Sequence, residues 1–255
     1  MTGHESQMQN NAGLSRVGPI VAFDFDGTMT VRDSFRGFLR WRAGLWEYYF
    51  GMARLAPAAL AYLVHRNRGR LKAAMVRVYL SGLPREVLER EAAEYAAVAA
   101  PLLLRPDAVK TWRRHRNEGC RMVIVTASPD ILVWPFARGL GADLLLGTRL
   151  KLDSHGRVAG PLEGKNCRGK EKVERLRAAF GEDVTLLAAY GDTAGDREML
   201  ELAEDRFMRL FTASPCRRWA GRWPEARRLR RRLRPLRASR KRDRPVRRPW
   251  PLRKS

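Results

Sequence analysis

Cysteine is scarce in this chain. Only Cys120, Cys167 and Cys216 occur among 255 residues, scattered and without a CxxC pair. That excludes a disulfide framework and a zinc ribbon, and it fits a reducing compartment. The first 18 residues lack the apolar run of a secretory signal. Long hydrophobic runs are missing too. The most apolar stretch, residues 45–64, is interrupted by Glu47 and Arg54 and broken by Pro57, which argues against a spanning helix. Acidic residues are nearly absent from one end. From Arg217 to Ser255, 16 Arg and 2 Lys face only Glu225 and Asp243, which accounts for +16 of the net +23. The preceding 216 residues carry only +7, so the high charge describes a tail. Nucleic-acid binding by the folded body is not expected on that ground.

What is present is enough for a sizeable core, with 45% hydrophobic residues. Residues 1–18 read as a flexible leader. Ile20-Val21-Ala22-Phe23 is a β run that stops at Asp24-Phe25-Asp26-Gly27-Thr28. Apolar strands that end in acidic residues and a Gly present chemistry at the carboxyl edge of α/β sheets. Residues 33–104 have a helical pattern throughout, with breaks near Pro57, Gly69 and Gly82, and no strand signal. Strands and helices then alternate. Helices are expected over 106–119, 130–140, 170–180 and 197–203, and strands over 121–126, 144–146, 185–190 and 207–211. A hairpin is expected over 148–162 around Asp153-Ser154-His155-Gly156. This order predicts a three-layer α/β sandwich with a parallel sheet, in residues 19–32 and 105–212. The helical block at 33–104 is inserted after the first strand. Residues 213–255 read as a basic tail without a fold. Three readings fit that tail: a polybasic segment for anionic lipid or nucleic acid, a functionless one, or the frame-shifted product of a GC-rich gene.

Asp24 and Asp26 are two apart at a strand end, so their carboxylates face one way. Two carboxylates aimed at one spot repel, and a divalent cation resolves this; oxygen ligands suit Mg²⁺. One carboxylate can act as nucleophile and the other as general acid/base. Gly191-Asp192-Thr193-Ala194-Gly195-Asp196 follows a second apolar strand. Asp192 is placed to ligate the same cation, whereas Asp196 fits equally a metal site or a helix cap. Thr126, at the end of another strand, and the following N–H groups suit phosphate oxygens. Lys170 and Lys172 stand at a helix start, where the helix dipole does not favour cations; two readings fit, a lysine that serves an anion elsewhere and two solvated lysines.

These four pieces, in this order, resemble the haloacid dehalogenase-like superfamily of phosphohydrolases over residues 19–211. The helical insert resembles the phosphoserine-phosphatase-like branch. The stretch 147–176, with Gly160-Pro161-Leu162-Glu163-Gly164-Lys165-Asn166-Cys167-Arg168-Gly169, resembles bacterial hydrolases of the phosphatidylglycerophosphatase C type. The resemblance implies a Rossmann-like core with a helical cap, and Mg²⁺ as cofactor. It implies that Asp24 is the nucleophile, forming an aspartyl-phosphate, and a Mg²⁺ ligand. Asp26 is then the proton donor and base, with its carbonyl on the metal. Thr126 and Ala127 bind the phosphoryl group, Asp192 is the third metal ligand, and Asp196 stands beside it. Lys170 matches the motif lysine of phosphoserine phosphatases, and Lys172 that of the phosphatidylglycerophosphatase-like pattern. Asp26 favours phosphate esters over halides, because an alkoxide leaving group needs a proton and a halide does not.

The expected activity is a phosphomonoesterase acting on a phospholipid headgroup or a small metabolite. The alternatives are a phosphoserine phosphatase, a phosphotransferase, or a non-catalytic basic adaptor for membrane or nucleic acid. Asp33 stands where a substrate-reading Glu sits in phosphoserine phosphatases; a helix-cap role is favoured slightly over that. Trp41, Leu45, Trp46, Tyr48, Tyr49, Phe50, Leu55, Leu60 and Leu63 lie among Arg36, Arg40, Arg42, Arg54, Arg66, Arg68, Arg70 and Lys72. Such a block reads either as a helical cap with its aromatics packed inward or as a surface for an anionic membrane. A cytoplasmic protein is expected, with peripheral contact at the inner face of the membrane if the surface reading holds.

Overall fold

A computed structural model describes residues 18–58, 60 and 68–215. The leader up to residue 17 and the tail beyond 215 lie outside the described residues, as do Leu63 and Arg66 of the insert. Among the described residues the chain forms β1 (Ile20–Phe23) and then four helices: α1 (Ser34–Ala43), α2 (Leu45–Arg54), α3 (Arg68–Leu80) and α4 (Arg85–Leu103). After them come α5 (Pro106–Asn117), β2 (Arg121–Pro129), α6 (Asp130–Leu140), β3 (Leu144–Leu152), β4 (Val158–Glu163), α7 (Lys170–Phe180) and β5 (Leu186–Gly191). A 3₁₀ turn at Ala194–Asp196, α8 (Arg197–Glu201) and β6 (Ala203–Met208) complete the order.

The sheet order is β4-β3-β2-β1-β5-β6. All neighbours are parallel except β3 and β4, which are antiparallel. From β1 the chain builds outward through β2 and β3 on one side and later through β5 and β6 on the other. Reversals of this kind open a crevice at the carboxyl ends of the strands. Alternation along the strands divides the core. Val21, Phe23, Met122 and Ile124 face Trp112 of α5, α6 and the inserted helices, whereas Ala22, Val123 and Val125 face Leu176 of α7 and Met199 of α8. Phe23 stacks on Tyr190 with ring centroids 4.2 Å apart and meets Trp112 edge-on at 5.1 Å. Among the described residues no helix is long and apolar enough to cross a membrane.

The structure redraws several expected boundaries. The two short strands at 144–146 and 148–152 are one strand, β3. Gly147 lets it pass beneath the start of α6, because a Cβ there would lie 2.8 Å from the Asp130 Cα. The last strand runs over Ala203–Met208 instead of 207–211, and α8 is correspondingly short. Phe211 is buried all the same, stacked against Phe23 and Tyr190. The packed chain continues into the residues read as tail. Asp107 accepts from the Thr212 and Ala213 N–H groups at 2.8 and 2.9 Å, and Arg105 donates to the Ala213 carbonyl at 3.2 Å.

The insertion is stitched to the sheet by the turn between α3 and α4. Gly82 N–H donates to Val158 O at 2.8 Å, Val158 N–H to Leu83 O at 2.9 Å, and Arg85 N–H to Gly156 O at 3.0 Å. The Arg157 guanidinium adds a bond to Gly82 O at 3.0 Å.

Candidate active site

Asp24 is the first residue past β1, and its N–H donates to Tyr190 O at 2.8 Å, which carries the ladder one step further. The chain then folds tightly: Met29 and Thr30 N–H groups both return to Phe25 O. Gly27 adopts φ of 91°, and a side chain there would run into Asp192. The two loops that carry the acidic motifs are thereby brought together at the crevice.

Lys172 is the centre of the arrangement. Its ammonium is fully buried and lies 2.6 Å from Asp24 Oδ1, 2.7 Å from Asp196 Oδ1 and 2.6 Å from the Val125 carbonyl. Burial alone would push this lysine down, but Asp24 and Asp196 outweigh it and hold it above the ordinary lysine range. Lys170, the other candidate, is exposed at the start of α7. The structure therefore brings Lys172 to the carboxylates and leaves Lys170 at the surface. One helical turn is 3.6 residues, so a two-residue step turns the side chain far round the axis.

One ammonium serves several carboxylates. Asp196 is held low because Lys172 and the Thr193 N–H and hydroxyl, both at 2.9 Å, outweigh its burial. Burial pushes Asp24 up to about 7 against the pull of Lys172, and the charge of Asp196 adds to the rise. Asp192 is also raised, by burial and by Asp196. Carboxylate oxygens of Asp24, Asp192 and Asp196 lie within 4.8 Å of one another, and Asp192 Oδ1 is buried with no hydrogen-bond partner. A site short of positive charge with an orphaned carboxylate oxygen fits a hard divalent cation. Asp196 fills the cap role, closing the capping box with Thr193, and its carboxylate also lies in the cluster with Asp24 and Asp192.

Asp26 is oriented by two donors, Ser34 N–H at 2.6 Å on Oδ1 and the Ser128 hydroxyl on Oδ2. Burial, with Asp33 second, pushes it up to about 6. Asp33 itself is exposed and caps α1, accepting from Arg36 N–H at 2.8 Å. The structure thus shows the cap role and places Asp33 beside Asp26 as a source of charge. Thr126 is buried at the point where β2 and β3 lose register, and its hydroxyl accepts from Ser128 N–H at 3.1 Å.

Three contributors are absent from the residues singled out in the sequence as site residues. Ser128 holds Asp26. Lys72 reaches from α3 to the Ala127 carbonyl and to Asn166 Oδ1, the latter at 3.4 Å, and burial lowers its pKa. Arg105 donates to Gly27 O at 3.3 Å. Ser128 follows directly on the Thr126 motif and was within reach of a closer reading. Nothing local marks Lys72 among its basic neighbours.

A profile of the haloacid dehalogenase-like hydrolases matches residues 21–201. The chain is 59% identical over 197 residues to protein CicA of Caulobacter vibrioides, covering 77% of this chain and 88% of that one. Among solved structures, a protein of unknown function from Bordetella pertussis superposes with a TM-score of 0.62 at 23% identity, covering 72% of this chain and 86% of the other. A substrate-bound phosphoserine phosphatase superposes with a TM-score of 0.52 at 23% identity, covering 76% and 87%. At these identities the structural likeness concerns the fold. The chain belongs to the haloacid dehalogenase-like hydrolase family and is an enzyme of that hydrolase class.

Proposed function

We infer that this chain is a Mg²⁺-dependent phosphatase that hydrolyses a phosphomonoester through an aspartyl-phosphate on Asp24. The observation that carries this reading is Lys172 held between Asp24 and Asp196, with the partnerless Asp192 Oδ1 close by. Asp24, Asp192 and the Asp26 carbonyl would hold Mg²⁺, with Asp196 behind them. The bound ion supplies the missing positive charge against the carboxylates and the phosphoryl oxygens.

A carboxylate oxygen of Asp24 attacks phosphorus and the ester oxygen departs. Asp26, raised by burial, donates its proton to that oxygen, so an alcohol leaves instead of an alkoxide. The ionised Asp26 then takes a proton from water, which attacks the aspartyl-phosphate and releases inorganic phosphate while freeing Asp24. Lys172 keeps Asp24 oriented and balances its charge. Thr126 and the N–H of Ala127 would hold the phosphoryl oxygens, with the Thr126 hydroxyl positioned by the Ser128 N–H. Phosphoryl transfer asks for positioning and charge neutralisation, and these residues provide both. Lys72 adds a cation beside the same turn, which suits an anionic substrate such as a phospholipid headgroup or a small phosphorylated metabolite.

The test is phosphate release from an aryl phosphate with Mg²⁺ and with chelator. Asp24→Asn is expected to abolish release, because an amide is a poor nucleophile. Asp26→Asn is expected to cost on the order of 10²–10⁴ in rate, with the smaller loss on nitrophenyl esters, whose leaving group needs no proton. Substantial turnover by the Asp24 variant would overturn the reading.

A further inference from the structure

Helix α2 carries apolar residues on both faces. Its inner face is Tyr48 and Gly51, followed just past its end by Leu55, and all three are buried. Gly51 packs on Tyr79 of α3 so closely that a Cβ would lie 2.5 Å from the ring. The Tyr79 hydroxyl donates to Tyr48 O at 2.5 Å. These contacts fix which way the helix faces. A surface helix turns polar residues outward. Here the outward residues include one acid, Glu47, but also Leu45, Trp46, Tyr49 and Phe50, which are 51%, 79%, 56% and 70% exposed. Positions 46, 49 and 50 lie at i, i+3 and i+4 and form one stripe, which the exposed Arg54 continues. Single exposed apolar residues are ordinary, but a contiguous aromatic stripe marks an interaction surface.

Charge identifies the partner. Residues 34–80 contain nine Lys and Arg and a single acid, Glu47. Arg36 and Arg40 stand exposed one turn apart on α1, the helix that leads directly into α2. Trp and Tyr have apolar bodies with a polar handle and settle at the headgroup level of bilayers. Basic residues beside them are drawn to anionic headgroups. We propose that the outer face of α2, with Arg54 and the exposed arginines of α1, docks the protein on an anionic lipid bilayer by inserting Trp46, Tyr49 and Phe50 into the interface. This goes beyond the phosphatase reading and does not depend on it. It also differs in kind from attraction through the basic tail, which needs no insertion.

The test uses the full chain and vesicles of phosphatidylcholine with and without one quarter phosphatidylglycerol. The wild type is expected to co-sediment with the anionic vesicles. Binding should persist in part at about 0.5 M salt, where screening confines surface charges to a few ångströms. The triple variant Trp46→Ser, Tyr49→Ser, Phe50→Ser keeps the tail intact. It is expected to lose at least about tenfold in partitioning, the scale of removing buried aromatic area. An unchanged thermal midpoint would show that the variant is folded. Trp46→Ser alone, at the most exposed position, serves if the triple variant does not fold, and a loss of about threefold is expected. No binding by the wild type overturns the proposal. Equal binding by wild type and variants overturns it in favour of the tail. A wild-type dimer that the substitutions make monomeric, without vesicle binding, overturns it in favour of a second copy of the chain.

Discussion

Gly27 and Asp192 approach at a distance that only glycine allows: a Cβ on Gly27 would lie 2.1 Å from Asp192 Oδ2. The φ of 91° at Gly27 is itself unfavourable for a side chain. Gly27→Ala should push Asp192 out of the cluster. The expected outcome is a fall in turnover on the order of 10²-fold, with a stability loss of about 1–3 kcal/mol. Raising Mg²⁺ should recover part of the activity if, as proposed, Asp192 holds the metal. Turnover against Mg²⁺ concentration checks this, and a wild-type response would contradict the role given to Asp192.

Lys170 and Lys172 should behave as opposites. Lys172→Met leaves Asp24 and Asp196 buried without their shared cation. Breaking such a pair costs about 3–5 kcal/mol, and activity should disappear with it. Lys170→Ala, at the exposed start of α7, should change stability by no more than about 0.5 kcal/mol and leave turnover intact. Urea unfolding and aryl phosphate turnover separate the two. A large effect at Lys170 would show that the exposed lysine serves the substrate.

Asp33→Asn should move a pH profile without unfolding α1, since Asn caps helices as well as Asp does. Burial and the Asp33 charge together raise Asp26 to about 6. Removing that charge lowers the Asp26 pKa. In the proposed reaction Asp26 is the proton donor and must be protonated for the first step, so the alkaline limb of turnover on an alkyl phosphate should shift to lower pH. An unmoved limb would mean that Asp33 acts only as a cap.

His115 should make the protein sensitive to mild acid. It is buried against the Tyr190 hydroxyl at 2.8 Å, with Glu118 at 3.2 Å. Arg114, Cys120 and Asp205 lie nearby. Burial, helped by Arg114 and opposed by Glu118 and Asp205, lowers its pKa. A depressed histidine costs nothing above its unfolded value of about 6.5; as pH falls below that, the unfolded chain takes the proton first and stability drops. Asp24 and Asp26, both raised in the metal-free protein, push the opposite way over the same range. The wild type minus His115→Gln difference in urea midpoint isolates the histidine, and it should shrink as pH falls from 7 toward 5. A constant difference would contradict this assignment.

The sequence disclosed those parts whose signal is local. β1 with Asp24 and Asp26, the helices at 130–140 and 170–180, and the turn around Asp192 were readable because apolar runs, capping chemistry and glycines lie within a few residues of each other. β6 was misplaced because Glu204, Asp205 and Arg206 give it no hydrophobic pattern. It is a strand because Ala188, Ala189 and Tyr190 of β5 pair with Asp205, Arg206 and Phe207. Choosing Lys172 over Lys170 required the rotation of α7 about its axis, which the packing of Val173 and Leu176 fixes. Lys72 reaches Asn166 across 94 residues of chain, a pairing that only the folded insertion creates.

The stitching of the 82–85 turn to the 156–158 hairpin bears on how molecules come and go. Swinging the helical insertion away from the sheet would break four hydrogen bonds. At about 0.5–1.5 kcal/mol net for each, fewer than roughly one molecule in thirty would be open at any moment. Opening of the insertion is therefore a minor excursion from a closed resting state, on the scale of the conformers that a ligand can draw out. A molecule that needs more room than the resting crevice gives must bind well enough to offset the four lost bonds, about 2–6 kcal/mol.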